Sequence, residues 1–212
     1  MTIFRKTILS LILSSASCTA MAEAPKNCIG IRASFQPSWA TSYGVKTSVR
    51  SGYMIGVIDQ ISLSRKLPFY LETGLSFTSK GYKIQGFDNS STTINYLRIP
   101  LAALYRIPIG EHVSIQPSAG VYYAYGLWGR LHYQDNSINV FSEKSISKND
   151  FGYNLGVALT INNFYIGVQY ENGLIDIAKN DIIYPSQVSM LGYRSLKNYS
   201  LAITLGYTFN IK

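Results

Sequence analysis

The sequence predicts an all-β fold, an eight-stranded antiparallel up-and-down transmembrane β-barrel. Two observations carry this prediction: apolar residues alternate with small or polar ones along eight segments, and tight turns alternate with longer stretches between these segments. The composition agrees, because 47% of the residues are hydrophobic and only 14% are charged, which excludes a disordered chain. The chain is rich in Gly, Tyr, Thr and Ser, whereas a helical bundle is rich in Ala, Glu, Lys and Leu, so a helical bundle is disfavoured.

Residues 1–22 have the pattern of a signal peptide. Arg5 and Lys6 precede an apolar stretch over residues 7–16, and Ala20-Met21-Ala22 fits an A-x-A cleavage site. We therefore expect residues 23–212 to form the mature chain, a single β-barrel domain.

Two cysteines are too few for a metal site built from several thiolates. Cys18 leaves with the signal peptide. An alternative makes Cys18 the lipidated first residue of a lipoprotein, but Ser15 stands where such signals carry Leu. Cys28 is expected to be a small residue at the start of a strand.

The clearest strand is predicted over residues 151–161, where the odd positions are apolar and the even positions are small or polar. Residues 199–211 repeat this pattern. Six more segments carry it, namely 28–39, 50–63, 67–82, 93–108, 112–129 and 164–172. Asp59 falls on an apolar face, which favours a bulge there. Asn162-Asn163 suits a two-residue type I′ hairpin that places Ile161 opposite Phe164.

The apolar face of these strands is predicted to contact lipid. The other face carries mostly Gly, Ser, Thr, Ala and Gln, which suit the crowded interior of a narrow barrel. The alternative is a secreted sandwich or a lipocalin-type barrel. Aromatic residues mark both predicted rims, as membrane interfaces favour. They are Trp39, Tyr53, Phe77, Tyr125, Tyr170 and Tyr199 at the long-loop end, and Phe69, Tyr105, Phe164, Tyr207 and Phe209 at the tight-turn end.

Several short motifs stand in an order that resembles a known family. They are Tyr96-Leu97-Arg98-Ile99-Pro100-Leu101, Gly74-Leu75 with Lys80-Gly81, Phe151-Gly152-Tyr153-Asn154-Leu155-Gly156, Gly173-Leu174 and Leu205-Gly206-Tyr207-Thr208-Phe209. Together they resemble the outer-membrane β-barrel domain family of Bacteroides-type bacteria, often called PorT-like or porin family proteins. The resemblance implies an eight-stranded barrel in the outer membrane, inserted by the barrel-assembly machinery. Such barrels commonly end on an aromatic residue that this machinery reads, whereas Phe209 is followed by Asn210-Ile211-Lys212.

Five charged residues are predicted to point into the lumen: Arg32, Glu72, Arg98, Arg106 and Glu171. Folding the third and fourth strands together places Glu72 near Ala102, so Arg106 is its nearest expected basic neighbour. Ion pairs that fill the lumen are one interpretation, and a polar pore lining is the other. Tyr122, Trp128 and Tyr165 are expected to add bulk to the lumen.

Enzyme chemistry has little support in the sequence. Barrel enzymes that modify lipid A use a His with a Ser or an acid, and His132 shares a predicted loop with Ser137, Ser142 and Glu143. No nucleotide-binding or metal-binding motif is present, and we expect no cofactor.

The net charge of +8 comes from basic residues that, apart from Arg5-Lys6 and Arg65-Lys66, are scattered singly through strands and loops. This scatter disfavours nucleic-acid binding and favours contact with outer-membrane lipid and lipopolysaccharide phosphates.

The expected function is a structural or surface-interaction role, performed by a monomer without catalysis. A transport or secretion component is the first alternative, and a lipid A-modifying enzyme is the second. Recognition is expected in the longest loops, near 130–150 and 173–198. The candidate residues there are His132, Tyr133, Phe141, Tyr184 and Tyr193.

Overall fold

The computed structural model describes residues 27–42, 46–64, 66–85, 90–133, 136–142, 146–178 and 195–210. The predicted signal peptide with its cleavage site and the loop residues Tyr184 and Tyr193 lie outside these described residues. The strands are β1 (Cys28–Phe35), β2 (Ser38–Ser42), β3 (Thr47–Val49), β4 (Tyr53–Ser62), β5 (Phe69–Ile84), β6 (Ser91–Tyr105), β7 (Ile107–Pro108), β8 (Val113–Tyr133), β9 (Asn136–Asn139), β10 (Asn149–Ile161), β11 (Phe164–Gly173) and β12 (Leu196–Asn210).

Eight of these strands close into a ring. The order is β1-β4-β5-β6-β8-β10-β11-β12, every pair is antiparallel, and β12 returns to pair with β1. Each of these eight strands pairs with the ring strand that follows it along the chain, so the predicted eight-stranded up-and-down barrel is confirmed. The short strand β2 continues β1 beyond Gln36-Pro37 and pairs with the other half of β12.

The two faces of the wall differ as the alternation predicts. Val57, Leu155 and Leu205 point outward and are 51%, 51% and 62% exposed, while Gly, Ser, Thr and larger polar side chains fill the inner face. A closed barrel with an apolar outer surface and a polar interior is typical of outer-membrane proteins. Among the described residues, no helix is long and apolar enough to cross a membrane.

The bulge lies elsewhere than the sequence predicts. Asp59 pairs with Thr73 in an unbroken register between β4 and β5, so the predicted bulge at Asp59 is wrong. The register instead shifts between Asn95 and Tyr96, where β8 carries one extra residue opposite β6. This bulge reverses the inward and outward positions along the end of β8.

The tight-turn end of the barrel follows the predicted register. Ile161 pairs with Phe164, and Asn162 has a φ of 53°. Asn162 is the one non-glycine residue with positive φ in the described part of the chain, which fits a type II′ turn better than the predicted type I′ turn. The first and last described strands also meet at this end, because Cys28 pairs with Asn210. The Cys28 side chain is buried, and its Sγ donates to Asn210 Oδ1 at 3.2 Å.

Aromatic side chains lie at both ends of the outer face. At the long-loop end Trp39 stacks on Tyr199 with ring centroids 6.0 Å apart. At the tight-turn end the rings of Phe164 and Tyr207 are 5.3 Å apart, and Phe69 pairs with Tyr105. These positions are those of the two interfacial belts expected for a membrane barrel.

The long-loop end of the lumen is filled by apolar side chains, which we call the apolar cap. Its members are Ala40, Tyr82, Ile84, Ile94, Tyr96, Tyr122, Ala124, Leu131, Val140, Ile146, Ile177 and Leu196. Ile177 donates its backbone N–H to the carbonyl of Leu196 at 2.9 Å, and Ser147 donates to the carbonyl of Ile177 at 2.7 Å. The described bases of two long loops are therefore joined by backbone hydrogen bonds, and Ile146 and Ile177 from these bases belong to the apolar cap.

Candidate functional site: the charged lumen

Glu171 is the centre of the first charged group in the lumen, the Glu171 cluster. Its Oε1 lies 2.6 Å from Arg98 Nη2, and its Oε2 lies 2.7 Å from Lys80 Nζ. Gln36 Nε2 and Ser200 Oγ donate to the same Oε2 at 3.1 and 3.2 Å. The three charged side chains are buried, so this carboxylate is held by two cations and two neutral donors.

The ion pairs of the Glu171 cluster cross the barrel. Glu171 lies on β11, whereas Lys80 and Arg98 lie on β5 and β6 on the opposite side of the ring. Small cross-strand partners leave the space for these long side chains, since Arg98 is paired with Ser76 and Ala124. The chain thus closes its own lumen with charged bridges.

A second group, the Glu72 cluster, lies nearer the tight-turn end. Arg32 Nη1 is 2.9 Å from Glu72 Oε2, and Gln60 Nε2 donates to that same oxygen at 2.9 Å. Arg106 Nη2 donates to Gln60 Oε1 at 2.9 Å. The predicted pair of Glu72 with Arg106 is therefore wrong, because Gln60 lies between them and Arg32 takes the direct contact.

Two glycines explain how Arg32 reaches Glu72. Arg32 is paired with Gly56 on β4 and with Gly206 on β12, so neither neighbouring strand places a side chain beside it. Its guanidinium lies 3.7 Å from the ring centroid of Tyr165, and this cation–π contact stabilises the charge of Arg32.

In the part of the lumen that the structure describes, sequence reasoning misses two charged residues. Lys80 shares the inward face of its strand with Glu72, so the alternation could have found it. Asp150 falls within the loop predicted near 130–150, but β10 begins one residue before it. Asn198 Nδ2 donates to Asp150 Oδ2 at 3.0 Å, and Tyr122 Oη lies 3.4 Å from that oxygen. Among the described residues, Asp150 is therefore a third acidic residue in the lumen, in addition to Glu72 and Glu171.

Side chains leave little free volume between the two clusters. The cavity bordered by Arg32, Ser76 and Arg98 measures about 10 Å³, close to the space that one water molecule needs. Tyr122 and Tyr165 add bulk to the lumen as predicted, but Trp128 does not. Trp128 lies on the outer face and is 49% exposed, because the bulge in β8 turns it outward.

The predicted loop candidates fall in different surroundings. His132 is exposed near the end of β8, and Tyr133 is the last residue of that strand. Phe141 is partly buried and packs against the apolar cap, so it is not the freely exposed residue that the sequence suggests. Its ring occupies the space beside Gly126, where a Cβ atom would approach it to 2.3 Å.

The residues considered for catalysis do not form a catalytic arrangement. His132 is paired with Ser137 across β8 and β9, yet no hydrogen bond joins their side chains in the described structure, and Glu143 lies outside the described residues. No group of three or more His, Cys, Asp or Glu that could hold a metal ion occurs among the residues that the structure describes.

A closed eight-stranded barrel with an apolar outer face and an occupied lumen defines the class of outer-membrane barrel proteins. The sequence matches the family described as outer membrane protein beta-barrel domain over residues 8–209. The chain belongs to this family, and its place is the cell outer membrane.

Solved barrel structures are similar to this chain at low sequence identity. The Yersinia pestis attachment invasion locus protein Ail is 15% identical, with a TM-score of 0.46, over 87% of this chain and 99% of that chain. Neisserial surface protein A is 10% identical, with a TM-score of 0.49, over 89% and 100%. OprG from Pseudomonas aeruginosa is 14% identical, with a TM-score of 0.49, over 90% and 99%. No curated protein matches the sequence.

Proposed function

We propose that this chain is a non-enzymatic outer-membrane barrel whose role is structural or interactive at the cell surface. The observation that carries the proposal is the occupied lumen. Bridges from Glu171 to Lys80 and Arg98 cross it, and the apolar cap fills its long-loop end. A barrel filled in this way offers its surroundings only its loops and its outer face.

The long loops are the proposed interaction surface. The stretch between β11 and β12 leaves the barrel at Gly173 and returns at Leu196. Its ends are held in the apolar cap through Ile177 and Leu196, so residues 179–194 between them are the part to remove in an experiment. Deleting all of 173–198 would also remove side chains that close the lumen.

The test compares a deletion strain that carries the full chain with one that carries the chain in which a Gly-Ser linker replaces 179–194. Heat-shifted gel mobility verifies that both barrels are folded. A surface-interaction role predicts that cells with the full chain bind to arrayed glycans or proteins and that cells with the shortened chain do not. A structural role predicts that both chains restore resistance to detergent.

Two results would contradict the proposal. Restored uptake of a solute by the full chain would make it a transport component, as the PorT-like alternative holds. A changed lipid A mass that depends on His132 would make it an enzyme.

A further inference from the structure

A groove of about 300 Å³ opens on the outer face of the barrel near its long-loop end. It is lined by Thr93, Asn95, Trp128, Arg130 and His132, and we call it the rim groove. Trp128, Arg130 and His132 are all exposed on this outer face. The rim groove is separate from the lumen, because its lining residues lie on the outer face of β6 and β8.

The bulge in β8 creates the rim groove. Before it, Tyr122 and Ala124 point into the lumen, and an unbroken strand would direct Trp128 and Arg130 inward as well. The register shift at Asn95 adds one residue to β8 and turns both side chains outward. One structural irregularity therefore moves an indole ring and a guanidinium from the lumen to the lipid-facing surface.

The position of the rim groove matches the membrane interface. The rings of Trp128 and Phe77 are 5.5 Å apart, and Tyr53 follows at 6.1 Å from Phe77, so the groove borders an aromatic cluster of the kind found at headgroup depth. Arg130 lies two residues farther along the same face, about 7 Å towards the long loops. An amphiphile with its chains beside Trp128 would carry its head beside Arg130.

The charges of the rim groove suit a phosphate. Arg130 and His132 are paired across β8 and β9 with the neutral residues Asn139 and Ser137, and no ion pair occupies Arg130 within the described structure. Lys83 is exposed on the same face, where Ser91 is paired with both Lys83 and His132. A guanidinium matches phosphate oxygens in a bidentate manner, and the neighbouring cation adds to the attraction.

We propose that the rim groove binds the phosphorylated head of a lipopolysaccharide molecule of the outer leaflet, with an acyl chain lying against Trp128 and Phe77. Lipopolysaccharide joins phosphates to acyl chains in one molecule, as the adjacent cationic and aromatic sides of the groove require. This site goes beyond the proposed function, since it uses the wall of the barrel and not the loop between β11 and β12.

The test uses Trp128 as the reporter. The chain has two tryptophans, so Trp39→Phe leaves Trp128 alone. Purified lipopolysaccharide is titrated into this protein in detergent micelles, and Trp128 emission is expected to change in a saturable manner. Arg130→Gln should weaken the apparent affinity about tenfold, the loss expected for a charged hydrogen bond. Lys148→Gln, which removes an exposed cation from the other side of β8, should change it less than about twofold.

Further arms distinguish the source of the phosphate. Lipopolysaccharide stripped of its phosphates, phosphatidylglycerol and inorganic phosphate should all bind more weakly than intact lipopolysaccharide. Equal affinity for any of them, or equal losses for Arg130→Gln and Lys148→Gln, would overturn the proposal. His132→Gln repeats the test if Arg130→Gln fails to show heat-shifted mobility. The variant lacking 179–194 should bind lipopolysaccharide normally, so failure of this site and failure of the loop function are separate results.

Discussion

Glu171 illustrates how a single residue organises the lumen. Two cations from the opposite wall converge on its carboxylate, so its charge is what allows Lys80 and Arg98 to be buried. Sequence alternation could place Glu171 and Arg98 inside the barrel. It could not pair them, because they lie on strands that never share a hydrogen bond and meet only when the ring closes.

Glu171→Gln is expected to destabilise the barrel by about 3–5 kcal/mol, because it leaves two cations buried without their counter-charge. Urea unfolding in lipid vesicles measures the change. Glu111→Gln, in an exposed tight turn, is the matched control and should stay within about 0.5 kcal/mol. Equal effects of the two substitutions would show that the charge of Glu171 does not hold the cluster together.

Val157→Arg tests which face of β10 contacts lipid. Val157 points outward and is 53% exposed, so a charge there should cost about 2–4 kcal/mol near the middle of the membrane. Asn154→Ala on the buried inner face should cost much less, since within the described structure the Asn154 side chain makes one long hydrogen bond, to the Val121 carbonyl at 3.3 Å. The same unfolding titration compares them, and similar losses would reverse the assignment of the two faces.

At the scale of elements, the eight strands were predictable because one side of each faces lipid and the other a crowded interior. This contrast produces a period of two along every wall strand, and the tight turn at Asn162-Asn163 fixes the register of β10 against β11. The bulge was not predictable in this way. It depends on one extra residue of β8 opposite the Asn95–Tyr96 step of β6, and alternation within a single strand does not reveal such a mismatch between partner strands.

The turn between β10 and β11 offers a test of backbone conformation. Asn162 has a φ of 53°, which Gly and Asn tolerate and β-branched residues do not. Asn162→Gly should leave the free energy of unfolding nearly unchanged, whereas Asn162→Val should lower it by about 1–2 kcal/mol. Unfolding of both variants in lipid vesicles provides the measurement, and a fully stable Asn162→Val protein would contradict the assigned turn.

For the whole molecule, the number of strands and the filling of the lumen both indicate a barrel without an open channel. Eight strands enclose a space that side chains can fill, whereas water-filled channels occur in barrels of about sixteen strands or more. Here the Glu72 cluster, the Glu171 cluster and the apolar cap occupy successive levels from the tight-turn end to the long-loop end. The sequence predicted a polar interior but left open whether it was bridged or open, and the cross-barrel contacts favour bridging.

Planar-bilayer recording of the purified protein tests this central claim most directly. We expect no stable open channel, with a sixteen-stranded porin recorded under the same conditions as the reference for conduction. Heat-shifted gel mobility of the inserted sample verifies that the barrel is folded, so that an absence of conductance is a property of the folded protein. Steady and reproducible conductance of porin size from this folded chain would show that the lumen is open, and it would contradict the account given above.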